Sequence, residues 1–148
     1  MEKHFDNMDI SYFKQLLSHV DNVIRTRAVC VLAEIGGSGV VDAISGRLKN
    51  DEDSLVRHEA AFALGQMGFT DALAALSYSV KSDPSLFVRH EAAIAIGVIG
   101  SERGRCPLQE ALTDESQEVR ESAKIALANL DYISSVNRKG KFTQLTGG

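Results

Sequence analysis

Val56-Arg57-His58-Glu59-Ala60-Ala61-Phe62-Ala63-Leu64-Gly65-Gln66-Met67-Gly68 is the stretch that decides the fold. Val56, Ala60, Ala63, Leu64 and Met67 recur at the spacing of one helix face. Asp53 or Ser54 stands where a helix start is capped, and Gly68 stands where a helix ends. Nearly the same text returns at Val88-Arg89-His90-Glu91-Ala92-Ala93-Ile94-Ala95-Ile96-Gly97, entered through Asp83-Pro84-Ser85 and closed by Gly100. Working outward, Ile24-Arg25-Thr26-Arg27-Ala28-Val29 is an earlier copy and Val119-Arg120-Glu121-Ser122-Ala123-Lys124 a later one. The copies start 32, 32 and 31 residues apart. Small alanines at the contact positions let neighbouring helices approach closely.

A repeat of this length is a supersecondary unit that cannot bury its apolar face alone, so copies must stack. Shorter amphipathic stretches at 40–48, 71–80 and 105–112 are expected as the outer helix of each two-helix unit. A further helix at 10–18 is expected to pair with the first copy. The expected architecture is all-α: a solenoid of about four helix pairs over residues 1–133. Residues 134–148 lack apolar periodicity and are expected to form a flexible C-terminal tail. The first and last copies differ from the central two, as capping units do.

Composition narrows the function. The 148 residues include 16 Lys and Arg against 20 Asp and Glu, a formal net charge of -4. That is the wrong sign for a dedicated nucleic-acid binder. No apolar run approaches the ~20 residues of a membrane helix. The polar, acidic start Met1-Glu2-Lys3-His4-Phe5-Asp6 does not resemble a secretory signal. Cys30 and Cys106 are the two cysteines, far apart and in no CxxC pattern. They are expected as free thiols, Cys30 buried among apolar neighbours, and the expected location is cytoplasmic.

His58-Glu59 and His90-Glu91 occupy the same register of successive units. Stacking sets such positions side by side, on helices whose axes are roughly 8–10 Å apart. Two imidazoles there reach one metal ion at bond lengths of about 2.0–2.1 Å. Adjacent residues on a helix point about 100° apart, so the His and Glu of one pair do not easily share an ion. Two histidines and a carboxylate with open positions form the ligand set of non-haem iron(II). One chain carries two such pairs and a two-fold dimer four, enough for two ions. The plainer explanation is also open: polar residues are common at helix starts, where the dipole favours Glu. Thr26-Arg27 and Glu121-Ser122 replace the pair in the terminal units. A consensus alone would not confine the pairs to the middle, although a recent duplication would.

Arg25, Arg57, Arg89 and Arg120 precede these positions in all four units. Pairing with Asp51, Asp53, Asp83 or Asp114 would fix the register of the stack. His4 and His19 match nothing elsewhere and are expected as surface residues.

The central copies resemble the His-Glu repeats of the deoxyhypusine hydroxylases, HEAT-repeat di-iron mono-oxygenases, over roughly residues 25–130. Members of that family have two facing halves of four repeats, with His-Glu pairs in the two middle repeats of each. The present sequence looks like one half. The resemblance implies a homodimer with two iron ions and dioxygen as co-substrate. It implies that His58 and His90 of one chain bind one iron and Glu59 of the other chain completes it. Glu91 would lie close by, as a further carboxylate of the metal site or a catalytic, substrate-contacting one. A protein or amine-bearing substrate would follow the family pattern. The sequence is also similar to the E-Z type phycobilin lyases, chaperone-like proteins with the same repeat style and no need of a His-Glu site. A non-catalytic interaction scaffold is the other alternative.

Overall fold

The computed structural model describes residues 1–146, with side chains as far as residue 140. Among the described residues the regular structure is helical throughout. Helices α1 (Glu2–Asp6) and α2 (Ile10–Leu16) lead into α3 (Asn22–Ile35). Then come α4 (Val41–Asn50) and α5 (Ser54–Met67), α6 (Leu73–Ser82) and α7 (Leu86–Ile99), and α8 (Arg105–Ala111) and α9 (Gln117–Thr146). Helices α3, α5, α7 and α9 pack side by side as an inner layer, and α4, α6 and α8 as an outer one. This is the expected α-solenoid. The outer helices each follow a short 3-10 turn, at Gly37–Val40, Thr70–Ala72 and Glu102–Gly104.

Local chemistry explains the helix ends. Asp53 caps α5 by accepting from the Leu55 amide. The equivalent Ser85 makes no such bond; Asp83 accepts from the Ser85 amide instead. Gly68 and Gly100 end α5 and α7 with φ of 77° and 74°, a left-handed turn that glycine adopts without a Cβ penalty. Gly65 and Gly97 serve a different purpose. A Cβ on Gly65 would lie 2.8 Å from the Ala95 Cβ, and one on Gly97 2.7 Å from the Ala126 Cβ. The inner helices are in contact there, which keeps neighbouring units close. Leu32, Ile44, Leu48, Leu64, Leu76, Ile96, Leu108 and Leu130 are fully buried in the core.

The arginine ladder forms, offset by one unit. Arg25 grips Asp51 through two bonds of 2.9 and 3.0 Å, and Arg57 grips Asp83 at 2.8 and 3.2 Å. Arg89 holds Asp114 at 3.0 and 3.3 Å. The second guanidinium arm bonds the backbone before its own helix, Arg57 to the Asp51 carbonyl and Arg89 to the Asp83 carbonyl. Arg25, Arg57 and Arg89 therefore tie their own units to the loop of the next, while Arg120 bonds the Asp114 and Glu115 carbonyls before its own helix. Asp53 is not part of the ladder; it bonds Asn22 and caps α5.

Three local features differ from expectation. Helix α1 precedes the stack; on it His4 contacts Asp9 at 2.9 Å and stacks on Tyr12. Helix α9 does not stop near residue 133 but runs unbroken to Thr146. Lys, Arg, Gln and Leu are good helix formers, and a solvated helix needs no apolar stripe. Residues 147 and 148 of the expected tail lie outside the described residues. Third, Cys30 is exposed rather than buried.

Among the described residues no helix is long and apolar enough to cross a membrane.

Candidate functional site

The inner helices bury one face against their neighbours and leave one stripe open. On α5 the stripe is Leu55, His58, Glu59, Phe62 and Gln66, and on α7 Phe87, His90, Glu91, Ile94 and Val98. These positions are the i, i+3, i+4, i+7 and i+11 of one helix face. Leu55, Phe62, Phe87 and Val98 are exposed apolar side chains around the two His-Glu pairs.

Across this face the side chains interlock diagonally. His58 does not pair with Glu59 beside it; its Nε2 meets Glu91 Oε2 of the next inner helix at 3.4 Å. His90 likewise reaches forward, its Nδ1 lying 2.6 Å from Ser122 Oγ on α9. Glu59 reaches back, accepting from the Cys30 thiol on α3 at 3.2 Å. The His register of one unit thus contacts the Glu register of the next. Ser122 stands in that register in the fourth unit.

Glu91 is the outlier by burial, with 9% of its surface exposed. A carboxylate so placed needs a cation or several donors. Its contact with His58 is longer than the about 2.7–2.9 Å of a charge-assisted hydrogen bond. The separation suits a different arrangement. Two donors bonded to one ion at about 2.1 Å lie roughly 3.0–3.4 Å apart for angles between 90° and tetrahedral. His58 and Glu91 therefore fit as two donors to a single ion. Among the described residues no three His, Cys, Asp or Glu side chains are grouped to hold a metal ion. One chain offers pairs of donors, not a closed cage.

Glu59 borders a separate hollow of about 370 Å³, walled by Ala33, Phe62, Ala63 and Met67 with Cys30 and Glu34. Partial burial first, and the bond to Glu59 second, push the Cys30 thiol up to about 11. It stays protonated near neutral pH and acts as a donor to Glu59, not as a nucleophile. Sequence reasoning overlooked both Cys30 and Ser122. The signal for Ser122 was its place in the Glu register of the fourth unit; Cys30 stands in the register of Phe62 and Ile94, and no such signal marked it.

The HEAT repeats family profile matches residues 42–128, more than half of the chain. The chain belongs to the HEAT repeats. Among solved structures it is similar to human deoxyhypusine hydroxylase in complex with glycerol, at 28% identity and a TM-score of 0.76. The match covers 83% of this HEAT chain and 43% of the human enzyme, so the chain spans less than half of that protein's length. It is also similar in fold to Escherichia coli YibA, at 20% identity and a TM-score of 0.60, over 90% of this chain and 54% of that one. No curated protein sequence matches the chain.

Proposed function

We propose that this HEAT chain is an iron-binding, oxygen-activating protein, a non-haem di-iron mono-oxygenase of the kind its human structural neighbour exemplifies. The observation that carries the proposal is the His58–Glu91 pair: a half-exposed imidazole held 3.4 Å from a carboxylate that is nine-tenths buried. His90, on the same stripe, keeps one ring nitrogen uncommitted. His58 and His90 are the proposed iron ligands of one chain, with Glu91 beside them as a further ligand or a substrate-facing base. Glu59 of a second copy completes the set, so the proposed unit is a homodimer with two irons. When bound, the irons supply the activation of dioxygen.

The chain's own residues do the rest. Glu91 orients His58 and offers a base at the site. The exposed apolar side chains Leu55, Phe62 and Phe87 surround the polar centre, where a second copy would exclude bulk water. Glu59, Glu34 and Glu91 leave the face acidic, which favours a cationic, amine-bearing substrate. The proposed setting is the cytoplasm, where Cys30 and Cys106 stay reduced.

The test is iron retention by substituted chains. His58→Ala and His90→Ala are expected to lose bound iron after anaerobic Fe(II) loading while keeping the helical circular-dichroism spectrum. Glu59→Ala is expected to weaken retention in the dimer. Unchanged iron content in both histidine variants would rule the site out and leave an interaction scaffold, for which the exposed apolar stripe is the supporting feature.

A further inference from the structure

We propose that Ser122 is a positioning residue: its hydroxyl fixes the tautomer of His90 and so decides which ring nitrogen faces the site. Ser122 is buried in α9, 5% exposed, and its Oγ makes two contacts. One is 2.8 Å to the backbone carbonyl of Glu118, four residues earlier, and the other is 2.6 Å to His90 Nδ1.

A hydroxyl has one proton and two lone pairs. The Glu118 carbonyl can only accept, so the Ser122 proton goes there, as serine commonly bonds back within a helix. The Ser122 oxygen is left as an acceptor toward His90. A neutral imidazole has one N–H, and Nδ1 must carry it to complete this bond. The lone pair then resides on Nε2. In the opposite assignment Ser122 donates to Nδ1, and two oxygens 2.8 Å apart face each other with no proton between them. A fixed hydrogen bond on one ring nitrogen is how a metal-binding histidine is aimed through the other.

In the fourth unit Glu121-Ser122 stands where the central units carry a His-Glu pair. His90 is met there by an acceptor with no charge to compete for an ion. Serine in the Glu register provides it. His58 meets Glu91 from the same register, but through Nε2, whereas His90 meets Ser122 through Nδ1, so only His90 has its Nδ1 held by a hydroxyl.

The value of this arrangement for iron rests on the site proposed above; the tautomer does not. The experiment is therefore run on the full metal-free chain, by long-range ¹H–¹⁵N correlation of the histidine rings at about pH 8, above the ordinary imidazole pKa near 6.5. His90 is expected as the Nδ1–H form. Ser122→Ala should move it toward the Nε2–H form that free imidazoles prefer, and Ser122→Thr should restore Nδ1–H. An Nε2–H ring in the unsubstituted chain, or a ring indifferent to Ser122→Ala, would overturn the proposal. Co(II) titration gives the second readout: Ser122→Ala should bind about 10- to 100-fold more weakly, in the range found for outer hydrogen-bond partners of metal ligands. Co(II) binding equal to the unsubstituted chain would overturn the positioning role. If the unsubstituted chain binds no Co(II) or Fe(II) yet shows the Nδ1–H form, the iron site fails while Ser122 still sets the ring.

Discussion

Ion pairs inside this molecule differ in what their loss would do. Arg105 meets Glu102 and Asp131 at the surface, and such pairs contribute about 0–1 kcal/mol. Arg57 and Asp83 are almost wholly buried, and each carries further backbone bonds. Removing one partner strands the other charge. Arg57→Ala is therefore expected to destabilise the fold by about 3–5 kcal/mol, and Arg105→Ala by less than about 1. Urea unfolding followed by circular dichroism measures both. Equal midpoints for the two variants would show that the ladder adds no more than a surface pair. The arginine register was legible in the sequence because it recurs in every unit. The choice among Asp51, Asp53, Asp83 and Asp114 was not, since an aspartate beside a helix start can cap or pair equally well. At the site the limit was similar. Repeat spacing put His58 and His90 on one face, but the side chains lean diagonally across the stack, and that lean set His58 against Glu91 and His90 against Ser122.

Among the helices, glycines with the same one-letter code have opposite meanings. Gly65 faces the Ala95 backbone of α7, where an added Cβ would lie 2.9 Å from its Cα. Gly46 in α4 has nothing within 4 Å of the equivalent position. Alanine in a helix interior gains roughly 0.5–1 kcal/mol over glycine where space allows. Gly46→Ala is expected to stabilise by about that amount. Gly65→Ala meets overpacking of about 1–3 kcal/mol and is expected to be destabilising on balance. Ala95→Gly in the same chain should recover part of the loss, because the two positions share one contact. Thermal midpoints of the three chains are the measurement, and a stabilised Gly65→Ala would mean that α5 and α7 separate freely. The pattern of apolar residues foretold these helices and their order. It could not foretell that α9 continues to Thr146, because a helix with a solvated face carries no apolar period to read.

For the molecule as a whole, the stacked units bury their core between two layers and leave the inner face with polar donors at its centre and apolar side chains around them. Solenoid physics, in which each unit contacts its neighbours, accounts for the first feature. The proposed second copy would cover the second. The repeat period made the architecture readable from the sequence. The proposal of a dimer comes only through the resemblance to a longer family, since no residue in one chain states what lies opposite it. The most direct test of the proposed di-iron homodimer is the iron content and mass of the purified chain after anaerobic Fe(II) loading, by gel filtration with light scattering and metal analysis of the same peak. About one iron per chain in a particle of twice the chain mass is the predicted result. A well-folded chain that elutes without iron, at any mass, would contradict it.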